Sequence, residues 1–261
     1  MKVIIFCGGM GTRLREETEY RPKPMVPIGE RPILWHIMKI YAHYGHKDFI
    51  LCLGYKGDMI RDYFRNYPWH VCDVTLTLGA TTHPEFRTHH AEEDWRVTLA
   101  NTGENSGTAC RLKFVRSYVE PDEHFLLTYG DGVGRIDIPA VIAFHHQRGK
   151  ICTITGVHPP GRFGELSLDE TSLCRGFNEK PQAEGGYING GFMVCDRRIF
   201  EYLPDDPTAM LEQDPIKRIT RDGQLAVYRH EGFWQPMDTL SEFNLLNRIW
   251  KTGEAPWKLW P

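Results

Sequence analysis

The stretch Gly8-Gly9-Met10-Gly11-Thr12-Arg13-Leu14 combines glycines with one cation. Glycines let backbone N–H groups approach phosphate oxygens with no Cβ in the way, and a neighbouring Arg neutralises the charge that arrives. Soon after comes Arg21-Pro22-Lys23-Pro24-Met25, where two prolines fix φ on either side of Lys23, disfavour helix and present the amine on a stiff stalk. A solvated surface lysine needs no such flanking, so two cations bordering one glycine loop point to a bound polyanion. Further on, Asp131 in Thr128-Tyr129-Gly130-Asp131-Gly132 follows an apolar run. Its carboxylate suits Mg²⁺, which uses one or two protein carboxylates and completes its shell with phosphate and water. Without a ligand, Asp131-Gly132 also reads as a turn.

These groups need a frame. Lys2 to Cys7 is a short β-branched apolar run that ends in the glycines, and Pro32 to Tyr44 has helical spacing with Gly45 beyond it. Asp48 to Leu53 and Phe125 to Thr128 repeat the apolar run, and Gly57 to Tyr67 and Asp137 to Arg148 repeat the helix. Alternation of this kind predicts an α/β fold: a Rossmann-like, mixed but mostly parallel sheet flanked by helices, with ligands at the carboxyl ends of its strands. Between Pro68 and Thr102 short β-like pieces, among them Trp95 to Leu99, predict a β-rich insertion. Strand-like pieces recur at Ile151 to Val157, Glu165 to Leu168 and Gly191 to Cys195, and Leu240 to Trp250 reads as a helix. No repeat or linker divides the chain, so residues 1–261 are expected to form one domain, in which about 151–240 handle a second substrate.

Composition narrows the classes. A chain of 261 residues with 41% hydrophobic and 25% charged residues is ordinary globular protein. A net charge of -3 with no run of like charges argues against nucleic-acid binding. No apolar stretch approaches a membrane span, and the amino terminus lacks the features of a signal peptide, so a cytoplasmic location is expected. The 7 Cys lack C-x-x-C spacing and read as reduced core thiols. The 12 His form no recognisable zinc ladder.

The pairing of G-G-x-G-T-R-L with P-K-P-M resembles the signature of sugar-1-phosphate nucleotidyltransferases. Trp35-His36, Gly54-Tyr55-Lys56-Gly57, Asn189-Gly190-Gly191-Phe192 and Trp234-Gln235-Pro236-Met237-Asp238-Thr239 extend the likeness over nearly the whole chain. Phe6-Cys7 departs from the family's common Leu-Ala, a small volume change beside the loop. The resemblance implies that a sugar phosphate oxygen attacks the α-phosphorus of a nucleoside triphosphate while pyrophosphate leaves. That oxygen is already ionised near neutral pH, so the lack of a Ser-His-Asp or Cys-His arrangement fits.

Several roles rest on that resemblance. Arg13 and Lys23 are the expected catalytic cations. Gly8, Gly9, Gly11, Thr12, Gly103, Ser106, Thr108, Arg111 and Gly130 are expected to join them around the nucleotide, and Asp238 is the second Mg²⁺ carboxylate beside Asp131. Read alone, Asp238 could cap the helix beginning near Leu240, with or without holding metal, and Ser106 could cap the helix that the turn Thr102 to Arg111 enters. Tyr129, Arg162, Glu179, Lys180, Asn189 and Gly190 are expected around the sugar phosphate, with Lys180 gripping the phosphate and Glu179 accepting hydroxyl hydrogen bonds. Cytosine presents adjacent acceptors at N3 and O2, so an Arg at 111 would favour CTP over uracil or thymine nucleotides. The expected substrates are CTP and glucose 1-phosphate, with a different sugar phosphate or dTTP as the alternative, and the family implies a homo-oligomer, often a hexamer. Two other readings are weaker. A dinucleotide-binding oxidoreductase lacks its third glycine, since Leu14 stands there, and leaves Arg13 and Lys23 without a task. A non-catalytic regulatory relative would have lost loop or metal residues that are all present.

Overall fold

The computed structural model describes residues 1–79, 84–159, 165–168, 173–178 and 186–261. We number the strands of the main sheet β1 (Lys2–Cys7), β2 (Asp48–Leu53), β3 (Arg96–Asn101), β4 (His124–Tyr129), β5 (Cys152–Val157), β6 (Ile188–Asn189), β7 (Met193–Asp196) and β8 (Leu225–His230). The longer helices are α1 (Ile33–His43), α2 (Gly57–Arg65), α3 (Thr108–Phe114), α4 (Ile138–Arg148), α5 (Asp214–Arg221) and α6 (Leu240–Lys251). The strand order is β3-β2-β1-β4-β7-β5, with β6 and β8 both paired to β5. Strands β1, β2, β3 and β4 run parallel to one another, whereas β7 pairs antiparallel with both β4 and β5. The expected mixed, mostly parallel α/β sheet is what forms.

Burial on both faces explains why β1 reads as an unbroken apolar run. Val3, Ile5 and Cys7 point into a core shared with α1, α4 and α6, while Ile4 and Phe6 point into a second core with α3 and α5. Parallel pairing then sets the carboxyl ends of β1, β2, β3 and β4 on one rim, so the turns beginning at Gly8, Gly54, Thr102 and Gly130 are neighbours.

Two expectations shift. The β-like piece assigned to the insertion is in fact β3, an edge strand of the main sheet in register with β2 from Asp48↔Arg96 to Leu53↔Asn101. Only one of its residues, Ala100, is fully buried, so it lacks the apolar run that marked its neighbours. The excursion before it contains the short helix Tyr67–Val71 and the pair Val74–Thr75 with Glu85–Phe86. The prolines around Lys23 also permit more than expected: Lys23–Met25 forms one 3-10 turn, with Met25 N–H donating to Pro22 O at 2.8 Å. A single turn needs no N–H from Pro24, which explains its tolerance.

A small ribbon matters more than its length. Gly132–Gly134 pairs antiparallel with Trp234–Pro236, and Met237 N–H donates to Asp131 O at 2.8 Å. This ribbon draws the end of the chain back to the rim and sets Asp238 beside Asp131.

Candidate active site

The glycine loop leaves β1 at the rim and turns at Gly11, whose φ of 62° lies in the left-handed region. A Cβ there would also come within 2.7 Å of the Thr18 side chain and 3.1 Å of Lys23, so glycine is required by conformation and by space. Gly8 is required by space alone: its Cβ would meet the Arg111 guanidinium carbon at 2.2 Å.

Lys23 is 8% exposed, yet its ammonium reaches both expected metal ligands. Nζ lies 2.7 Å from Asp131 Oδ2 and also donates to Asp238 Oδ1, while Arg13 Nη1 sits 2.8 Å from Asp238 Oδ2. Burial alone would pull the Lys23 pKa down, but the charges and hydrogen bonds of the two aspartates outweigh it and the pKa ends above its ordinary value. Arg13 remains largely open, its side chain 69% exposed. Asp238 has no capping duty, because Thr239 and Glu242 form the capping box of α6.

Two carboxylates that converge on one nitrogen face a common point. Among the described residues no group of three or more His, Cys, Asp and Glu is arranged to hold a metal. A pair of aspartates fits a divalent ion such as magnesium, which takes few protein oxygens and fills its shell from phosphate and water, better than a caged zinc.

Next to this network lies a cavity of about 330 Å³ lined by Gly9, Gly11, Thr12, Arg13, Lys23, Thr108, Tyr129, Gly130 and Asp131, together with Phe6, Cys7, Pro24, Met210 and Glu212. A second cavity of about 230 Å³ shares Tyr129, Asp131 and Glu212 with it and adds Asn189, Gly190, Trp234 and Asp238. Asn189 Nδ2 donates to the Tyr129 hydroxyl at 3.2 Å, and Trp234 Nε1 donates to Gly190 O at 2.9 Å. A larger cavity of about 510 Å³ opens elsewhere, between α2 and the edge strand β3. Arg65, His90, Glu92 and Glu93 line it together with apolar side chains, and none of the expected site residues does.

Arg111, expected at the base, is 3% exposed. Its Nη1 donates to Leu53 O at 3.0 Å, Thr102 Oγ1 at 2.8 Å and Gly103 O at 2.7 Å, and its Nη2 to Gly8 O at 3.1 Å and Glu104 O at 3.0 Å. One guanidinium therefore ties together the turns that follow β1, β2 and β3, a task its place in the sequence does not disclose. Helix α3 begins later than expected: Gly107 is its N-cap, and Ser106 packs against Gly103 instead. Arg162, Glu179 and Lys180 lie outside the described residues.

Glu212, Trp234 and Met210 reach the cavities without having been singled out as site residues. The polar run Trp234-Gln235-Pro236 ahead of Asp238 was a usable signal for Trp234. Glu212 and Met210 sit in a turn-rich stretch with no local signature.

The fold and the site together define a nucleotidyltransferase, and the chain belongs to the Nucleotidyl transferase family, whose pattern matches residues 2–247. It is 49% identical over 261 residues to the glucose-1-phosphate cytidylyltransferase of Salmonella typhi, with 100% of both chains covered. The glucose-1-phosphate cytidylyltransferase of Salmonella typhimurium is likewise 49% identical over 261 residues, again with 100% of each chain covered. Among solved structures, HddC from Yersinia pseudotuberculosis superposes with a TM-score of 0.68 over 95% of this chain and 99% of its own, at 23% identity, a likeness of fold.

Proposed function

We propose that the protein transfers the cytidylyl group of CTP to α-D-glucose 1-phosphate, giving CDP-glucose and pyrophosphate. One observation carries the chemistry: Arg13, Lys23, Asp131 and Asp238 form a single contact network beside the glycine loop. The choice of substrates rests on the full-length likeness to the Salmonella enzymes.

In this reading the backbone of Gly8, Gly9, Gly11 and Thr12 receives the triphosphate, with Gly103, Ser106, Thr108 and Gly130 around the nucleoside. Arg111 holds the base-side turns in register, and its bonds to Gly103 O and Glu104 O set which backbone edges meet the pyrimidine. An incoming polyanion competes with Asp238 for Arg13 and with both aspartates for Lys23, so the cations turn toward the phosphates as the pairs loosen. Asp131 and Asp238 would hold Mg²⁺, which supplies positive charge against the negative charge building on the transferred and leaving phosphates.

Tyr129, Asn189 and Gly190 line the sugar side, and Arg162, Glu179 and Lys180 complete it. Lys180 aligns the sugar phosphate, whose oxygen attacks the α-phosphorus in line as the bond to pyrophosphate breaks. No proton has to move, so the reaction needs no general base to activate its nucleophile. The reaction belongs in the cytoplasm, where its triphosphate is made, and six thiols among the described residues are free cysteines. No helix among the described residues is long and apolar enough to cross a membrane. We further propose a homo-oligomer, up to a hexamer, with the apolar and His-bearing segment before β3 in its contacts, and a single catalytic domain spanning residues 1–261.

The test is pyrophosphate release with each common nucleoside triphosphate, glucose 1-phosphate and magnesium. CTP is expected to give the highest kcat/KM. Preference for dTTP, or turnover only with another sugar phosphate, would move the enzyme to a different substrate pair within the family.

A further inference from the structure

Glu212 stands on the seam of the two cavities and lines both. The fully buried Leu211 anchors it just ahead of α5. Its carboxylate accepts two hydroxyl hydrogen bonds, from Tyr129 to Oε1 at 2.6 Å and from Thr108 to Oε2 at 2.6 Å. Thr108 Oγ1 in turn accepts Leu211 N–H at 2.8 Å, and Asn189 donates to the Tyr129 oxygen at 3.2 Å. One anion is thus the common acceptor for a chain of polar groups reaching from β6 through β4 to the first turn of α3. Burial and the Glu212 charge push the Tyr129 pKa well up, so the phenol keeps its proton and remains a donor.

Both partners are neutral hydroxyls, and they take only two of the roughly four lone-pair positions of a carboxylate. Glu212 lines both cavities, where its remaining acceptor capacity can meet a ligand. Arg13 and Lys23, paired with Asp131 and Asp238, offer positive charge to phosphates, whereas Glu212 is held by neutral hydroxyls and suits a neutral donor. Resting on the transfer reading above, we infer that Glu212 is a specificity-determining residue that accepts a hydrogen bond from a sugar hydroxyl of a substrate, on the ribose or on the hexose, and fixes Tyr129 and Thr108 on either side of it. Where the two sugar rings flank the phosphates, vicinal hydroxyls are the neutral donors at hand.

The experiment compares the wild type with Glu212→Gln and Glu212→Asp on CTP, UTP, 2′-deoxy-CTP and 3′-deoxy-CTP, and on glucose 1-phosphate and its monodeoxy analogues, reading kcat and KM separately. In the wild type the analogue lacking the bonded hydroxyl should lose about tenfold in kcat/KM, chiefly through KM, for a half-open site. In Glu212→Gln that penalty should shrink to about twofold, because the charged acceptor is gone, and Glu212→Asp should fall between. A deoxy-CTP effect assigns the hydroxyl to the ribose, and a deoxy-sugar effect assigns it to the hexose. Unchanged discrimination against every analogue in a folded variant overturns the inference, as does a change confined to the CTP to UTP ratio, which would put the carboxylate on the base. A wild type that releases no pyrophosphate with any sugar phosphate overturns the transfer reading itself.

Discussion

The two walls of the cleft are built by opposite means. On the phosphate wall, the glycine loop and the Lys23 turn lie close together in sequence, and the backbone does the shaping, through a left-handed Gly11 and two prolines. On the sugar wall, Tyr129, Asn189, Glu212 and Trp234 come from four separate segments and are shaped by side-chain hydrogen bonds. The first wall presents fixed charge, which in the proposed reading meets the triphosphate. The second presents hydroxyl, amide and carboxylate groups, which discriminate among ligands by geometry. Chemistry common to a family can be written locally, whereas selectivity is spread over the fold.

The largest effect should fall on the charged wall. Lys23→Ala is expected to lower kcat by about a thousandfold while the far-ultraviolet circular dichroism stays that of the wild type, because the ammonium faces developing charge. Near-normal turnover would remove the distinction between the walls. Asp238→Asn should raise the magnesium concentration for half-maximal rate by about tenfold, measured by titration of the metal at saturating CTP, since one of two carboxylates is lost. An unchanged requirement would place the cation elsewhere.

Arg111→Leu should act on the phosphate wall through its footing. Five acceptors on three turns lose their donor, and stability should fall by about 3 kcal/mol, read from urea unfolding, with a higher KM for CTP. Arg111→Lys should recover little, since one ammonium cannot span three turns. The smallest effect is expected from Tyr129→Phe, about threefold in the KM for glucose 1-phosphate with kcat nearly unchanged, because the hydroxyl that donates to Glu212 and accepts from Asn189 orients its neighbours and does not face developing charge. If it matched Lys23→Ala, the sugar wall would be catalytic.

Acid should weaken the fold behind the cleft. His36, packed against Trp250 and Trp257, and His145, hydrogen-bonded to Thr153 on β5, are each pushed down to about 4, chiefly by burial. Because their folded pKa lies below the ordinary 6.5, the stability they preserve is complete above that pH and is lost as pH falls from 6.5 towards 4. The Tm should therefore drop between pH 7 and pH 5 in one transition, and the drop should shrink in His36→Gln.

Strands buried on both faces were legible because burial leaves a continuous apolar run: Lys2–Cys7 and Asp48–Leu53 form over the expected residues. Arg96–Asn101 was legible as a β-like piece but not as an edge strand of the main sheet, since only Ala100 in it is buried and it follows an irregular excursion. Arg13 and Lys23 were readable from glycine and proline alone. Asp238 needed a family likeness, because only the ribbon of Gly132–Gly134 with Trp234–Pro236 brings it to Asp131. Arg111 shows the limit of position: one turn into a helix, an arginine reads the same whether it meets solvent, a base or, as here, the carbonyls of three turns. Glu212 had no signal, since its partners Thr108 and Tyr129 are remote in the chain.

The most direct test of the shared cleft is a crystal structure with CTP and magnesium bound. The account requires the triphosphate against Gly8 to Arg13, the cation on Asp131 and Asp238, and Lys23 turned from the aspartates to phosphate. Phosphates bound away from that loop, with Lys23 still held between its two carboxylates, would contradict it.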